Sequence, residues 1–122
     1  MSNIITRKLF KKTIKKLQRC IMSKLQDRTE IQKILNNHRI QIDNLDDDII
    51  ELIYKRFEII KQVAKIKKQH NIPAHLQDRV DQVMNRNIEN ATNSGINIEL
   101  IKSFYADLID KSIKLEEKLL KK

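Results

Sequence analysis

Apolar residues recur at intervals of three and four along nearly the whole chain, the spacing of a helical face, while glycine and proline, which punctuate such a pattern, occur once each. The pattern breaks twice. At Gln69-His70-Asn71-Ile72-Pro73, proline removes a helix donor and biases Ile72 toward extended backbone. At Thr92-Asn93-Ser94-Gly95-Ile96-Asn97, Gly95 suits a left-handed helix terminus and Asn97 the next N-cap. The chain is expected to be all-α, with helices over about 30–69, 77–91 and 98–120.

The first helix is the odd element. Some forty residues at a rise of about 1.5 Å give about 60 Å, whereas a compact domain of this size has a radius of gyration of about 13 Å. Its stripe of Ile42, Leu45, Ile49, Leu52, Ile59, Val63 and Ile66 keeps strict heptad phase, which predicts a homodimer in which two such helices pack together. Helix three carries its own stripe, Ile101, Tyr105, Leu108, Ser112, Leu115 and Leu119. Ser112 is its polar exception, and Glu116 sits one turn further on, beside it.

Arg56 falls inside the apolar seam, where the repeat asks for an aliphatic residue. Desolvating a cation costs several kcal/mol, roughly, unless an anion and hydrogen bonds offset it. Positions 52 and 60 are Leu and Ile, so no carboxylate lies one turn away on the same stripe. The partner is distant in sequence or is a ligand; a tertiary salt bridge and a guanidinium that snorkels to solvent both stay open.

At 122 residues the chain makes one domain with a modest core, and no apolar run reaches bilayer length. A single cysteine, Cys20, forms no internal disulfide, and His38, His70 and His75 have no metal-ligand spacing with it. A reducing, metal-free, cytoplasmic setting is the expectation.

The net charge of +9 is concentrated at one end. Residues 1–28 hold nine Lys or Arg and one acid, Asp27, for +8, whereas residues 29–122 hold sixteen against fifteen. The first segment is therefore read as a basic amphipathic extension to a helical domain over 29–122. Phe10, Ile14, Leu17, Ile21 and Leu25 form its stripe, flanked by Lys11, Lys12, Lys15, Lys16, Arg19 and Lys24. It lacks the apolar run of a secretory signal; its lack of acids suits an organellar transit peptide, its few serines and arginines do not. Contact with an anionic surface and a solvated helix both remain open. With Phe10 its sole aromatic, base stacking is disfavoured and no specific nucleic acid is expected.

His38-Arg39-Ile40-Gln41-Ile42-Asp43-Asn44-Leu45-Asp46, then Ile49, Leu52, Arg56, Val63, Ile66-Lys67, Pro73 and Asp78-Arg79 together resemble the all-helical (AroQ-type) chorismate mutase family. The resemblance covers roughly residues 31–120, needs no gap through Glu116 and leaves the basic segment outside. It implies an intertwined dimer of three-helix subunits, the fold that the length of helix one also asks for. It further implies a Claisen rearrangement of chorismate to prephenate, a step of aromatic amino acid biosynthesis, with no cofactor and no covalent or acid-base step.

Carried over by residue, Arg39 binds a substrate carboxylate in the neighbouring subunit, and Arg56 and Arg79 hold carboxylates within their own. Lys67 donates to the ether oxygen of the breaking bond, and Val80, Ser112 and Glu116 complete the substrate-facing set. Arginine forks suit carboxylates. Arg39 and Arg56 are seventeen residues apart, about 25 Å along one helix, too far to share a site in cis.

Three positions depart from the bacterial pattern. Val80 stands where a glutamate binds the C4 hydroxyl of chorismate, Leu76 where an aspartate contributes, and Glu116 where a glutamine faces the ether oxygen. Fungal members resemble this chain in using glutamic acid there, which donates only when protonated. An apolar residue after the helix-two arginine also resembles the isochorismate pyruvate lyases, whose products are salicylate and pyruvate. That activity, and a catalytically weak binding module of the same fold, are the alternatives to the mutase.

Overall fold

The computed structural model describes the backbone of residues 2–122 and the side chains of residues 6–122. The described residues form three helices and no strand: α1 (Ser2–Gln69), α2 (Gln77–Ser94) and α3 (Ile98–Leu120). The third matches its expected bounds. The first does not begin near residue 30, because a change in charge density does not interrupt a helix and no glycine or proline precedes Pro73. Likewise α2 runs on to Ser94, since polar residues at 92–94 do not by themselves stop a helix and the left-handed terminus falls at Gly95.

Both inter-helix breaks use the same terminating device. Asn71 takes a left-handed φ of 55°, and the amide of Ile72 donates to the Lys67 carbonyl at 2.9 Å. Gly95, at φ 70°, is followed by Ile96 donating to the Ala91 carbonyl at 2.9 Å. Each is the six-to-one bond of a Schellman terminus. Asn97 then caps α3, its Oδ1 accepting from the amide of Leu100 at 3.1 Å.

The chain divides into two compact units, the first ending at Ile49 and the second spanning Ile50–Lys122. The first is helical and held by local bonds such as Thr29 Oγ1 to the Leu25 carbonyl and Lys33 to Glu30. In the second, α2 packs on α3. Apart from Ile109, its buried residues are small or polar: Ala64, Ala74, Ala91, Ser112 and Glu116. The heptad seam faces solvent in the single chain, with Ile42, Leu45, Ile49, Leu52, Ile59 and Ile66 each 47–64% exposed. Among the described residues, no helix is long and apolar enough to cross a membrane.

Candidate active site

The second unit holds a half-open cavity of about 260 Å³ whose lining includes Arg56, Lys67, Arg79, Val80, Ser112 and Glu116. Six of the seven residues singled out from sequence therefore meet around one space. Its walls are apolar, supplied by Ile59, Ile60 and Val63 of α1, Val83 of α2, and Ile109 and Ile113 of α3. Low-polarity walls strengthen any charge interaction inside.

Arg56 is half-buried and, among the described residues, has no carboxylate partner. Instead its Nη1 donates to Ser112 Oγ at 2.7 Å, and the Ser112 hydroxyl donates onward to the Leu108 carbonyl at 2.7 Å. Burial holds the guanidinium below its ordinary value; the nearby Tyr105 raises it and the positive charge of Arg79 lowers it further. Arginine nonetheless stays protonated near neutrality, so the cavity carries a cation whose charge no carboxylate partner among the described residues compensates.

Lys67 comes from the last turn of α1, its side chain 13% exposed. Its ammonium donates to the Ala74 carbonyl at 2.9 Å and lies 3.0 Å from Glu116 Oε1. The second contact is one of charge rather than direction, since Oε1 is buried and receives no aligned hydrogen bond. The Glu116 side chain is 6% exposed, one helical turn beyond Ser112 on the face of α3 that lines the cavity. A buried carboxylate oxygen without an aligned donor costs free energy, which the neighbouring charge of Lys67 offsets.

Arg79 and Val80 come from the first turn of α2, where both amides donate to the Leu76 carbonyl at 3.1 Å. Arg79 is exposed and Val80 half-buried. Three cations against one carboxylate give the cavity a formal charge of +2. Arg39 belongs to the first unit, where it is exposed and donates to Asn36 Oδ1 at 3.1 Å. Among the described residues, no group of His, Cys, Asp or Glu is arranged to hold a metal ion.

Sequence reasoning missed the two carbonyl acceptors, Ala74 and Leu108, and the apolar walls on α2 and α3. Ile59 and Val63 already stood on the stripe of Arg56, and helical spacing from it would also have found Ile60. Nothing in the sequence marks the Ala74 carbonyl, because it reaches Lys67 only through the fold of the loop.

Residues 38–117 match the family described as chorismate mutase type II. The chain is 36% identical over 67 residues to the T-protein of Haemophilus influenzae, covering 55% of this chain and 18% of that one. It is 25% identical over 88 residues to the bifunctional chorismate mutase/prephenate dehydratase of Aquifex aeolicus, covering 70% and 24%. A 4-amino-4-deoxychorismate mutase of Streptomyces venezuelae is 22% identical over 91 residues, covering 75% and 84%. The chain thus spans less than a quarter of the length of the first two relatives.

Proposed function

The chain belongs to the chorismate mutase type II family, and from that premise we propose that residues 29–122 form a chorismate mutase domain that rearranges chorismate to prephenate. The observation that carries this reading is the uncompensated charge of the cavity. A formal +2 within apolar walls suits a doubly anionic substrate, and Arg56 has a hydroxyl and a free direction where an ion pair would otherwise sit.

The reaction breaks the ether C–O bond and forms a C–C bond in one pericyclic step, with negative charge growing on the ether oxygen. Catalysis by such a site is positional and electrostatic. Arg56 and Arg79 bind the carboxylates, and Lys67, already fixed by the Ala74 carbonyl, aims its remaining donor capacity at the ether oxygen. Glu116, 3.0 Å from the same ammonium, positions it beside that oxygen from α3. A preorganised donor of this kind is worth about 10²–10³ in kcat.

The active form in this reading is a homodimer. The exposed heptad seam is what a second α1 would cover, and Arg39 of one subunit serves the cavity of the other. Assay of prephenate formation from chorismate by purified full-length chain tests the proposal; no turnover above the uncatalysed rate rejects it.

Val80 supports a second reading, isochorismate pyruvate lyase. It presents an aliphatic wall to the cavity at the position where a ring hydroxyl would need an acceptor. Formation of salicylate from isochorismate, with chorismate untouched, would favour this reading over the first.

A further inference from the structure

The segment that lies outside the matched region has two unsatisfied faces. At about 100° per residue, Lys8, Lys11, Lys12, Lys15, Lys16 and Arg19 fall on one side of α1, and Phe10, Ile14, Leu17, Ile21 and Leu25 on the opposite side. Phe10, Leu17, Ile21 and Leu25 are 51–66% exposed. Further along α1, Lys33, Lys55 and Lys61 are answered from within the helix, by Glu30, Glu51 and Glu58. Among the described residues, no cation between Arg7 and Arg28 forms an ion pair, and no acid precedes Asp27.

Each class of partner answers these faces differently. A nucleic acid would neutralise the cations and leave the apolar stripe in water, with Phe10 the single ring available for stacking. A second copy aligned along the stripe would place Lys24 and Arg28 in the seam against their own kind. An anionic bilayer surface meets both needs at once. Headgroups neutralise the lysines while the stripe enters the boundary between headgroups and acyl chains. Lys24 and Arg28, on the apolar side, have stems long enough to carry their charges back to the headgroups.

We infer that residues 7–28 form an in-plane anchor for a bilayer rich in anionic lipid. The helix lies on the membrane and does not cross it, since no described helix has the apolar length to span one. The inference rests on the faces of this segment and is independent of the reaction assigned to the cavity.

Full-length chain labelled at Cys20, the single cysteine and an exposed one beside the stripe, with an environment-sensitive fluorophore tests it. The labelled chain is mixed with vesicles of phosphatidylcholine alone or with phosphatidylglycerol added. Co-sedimentation and a blue-shifted emission are expected with the mixed vesicles only. Leu17→Asp should abolish both. Replacing Lys11, Lys12, Lys15 and Lys16 together by glutamine should weaken binding about a hundredfold or more, with helicity by circular dichroism and any basal turnover unchanged. Absence of binding, equal binding to both vesicles, or full binding by the four-glutamine variant overturns the inference. So does tighter binding to duplex RNA or DNA than to the anionic vesicles. If Leu17→Asp loses helicity, the four-glutamine variant alone decides.

Discussion

The Arg56 guanidinium and the Ser112 hydroxyl, from helices α1 and α3, meet at 2.7 Å with no carboxylate at hand. The hydroxyl's own hydrogen is directed to the Leu108 carbonyl, so its oxygen serves the arginine as an acceptor. A seam position that heptad phase reserves for an aliphatic side chain is thus spent on holding a cation ready for an anion.

A site charged in this way is stabilised by its ligand. Burial lowers the Arg56 value, so folding works against its charged form throughout the accessible pH range, and only strong alkali would relieve that cost by deprotonation. Arg56→Met should therefore hold or raise the apo melting temperature while lowering kcat/KM by about 10² or more. A clear drop in melting temperature together with unchanged turnover would assign Arg56 to the fold alone.

Ser112→Ala removes the acceptor that orients Arg56. Hydrogen bonds to charged groups are worth roughly 1.5–3 kcal/mol, so kcat/KM should fall by about tenfold or more, mainly through KM. Steady-state kinetics across substrate concentration measures the split.

Glu116→Gln replaces the carboxylate that meets Lys67 at 3.0 Å with an amide that donates into the cavity. Removing an anion beside the oxygen where negative charge grows should hold or raise kcat. A fall of tenfold or more in steady-state kcat would show that the carboxylate itself is needed.

Lys67→Ala should lower kcat by about 10²–10³. The enzymatic assignment does not survive unchanged turnover in that variant. Val80→Glu, by contrast, should improve kcat/KM for chorismate relative to isochorismate, since it adds an acceptor for the ring hydroxyl; competition between the two substrates reads this directly.

Mixing two inactive variants, Arg39→Ala and Lys67→Ala, tests the contribution of one subunit to the other. Each mixed dimer would regenerate one intact cavity, so activity should reappear on mixing. Sedimentation should show the unaltered chain as a dimer and Leu45→Asp with Ile49→Asp as a monomer.

Much of this was legible because helical periodicity and two strong terminators fixed the element order. Gly95 and Asn97 mark the α2–α3 junction through backbone conformation and side-chain capping, which are local properties. Where chemistry changes without a local stop, reading by composition misplaced a boundary. The charge shift at residue 28 suggested an interruption, and α1 passes through it. Arg56, Lys67 and Glu116 stood out because cations and carboxyls on apolar stripes are costly. Their acceptors at Ala74 and Leu108 did not, since main-chain carbonyls carry no sequence identity.

The left-handed turn at Asn71 has a consequence for the proposed reaction. Ile72 grips the main chain of Lys67 at 2.9 Å, while Ala74 grips the tip of its side chain at 2.9 Å. One short linker therefore fastens the same residue at both ends. Loosening that linker, for example with a β-branched residue at 71 that resists positive φ, would cost rate before it cost helix content. Glycine there would preserve both. The knot that ends the first helix is also the vice that grips the ammonium.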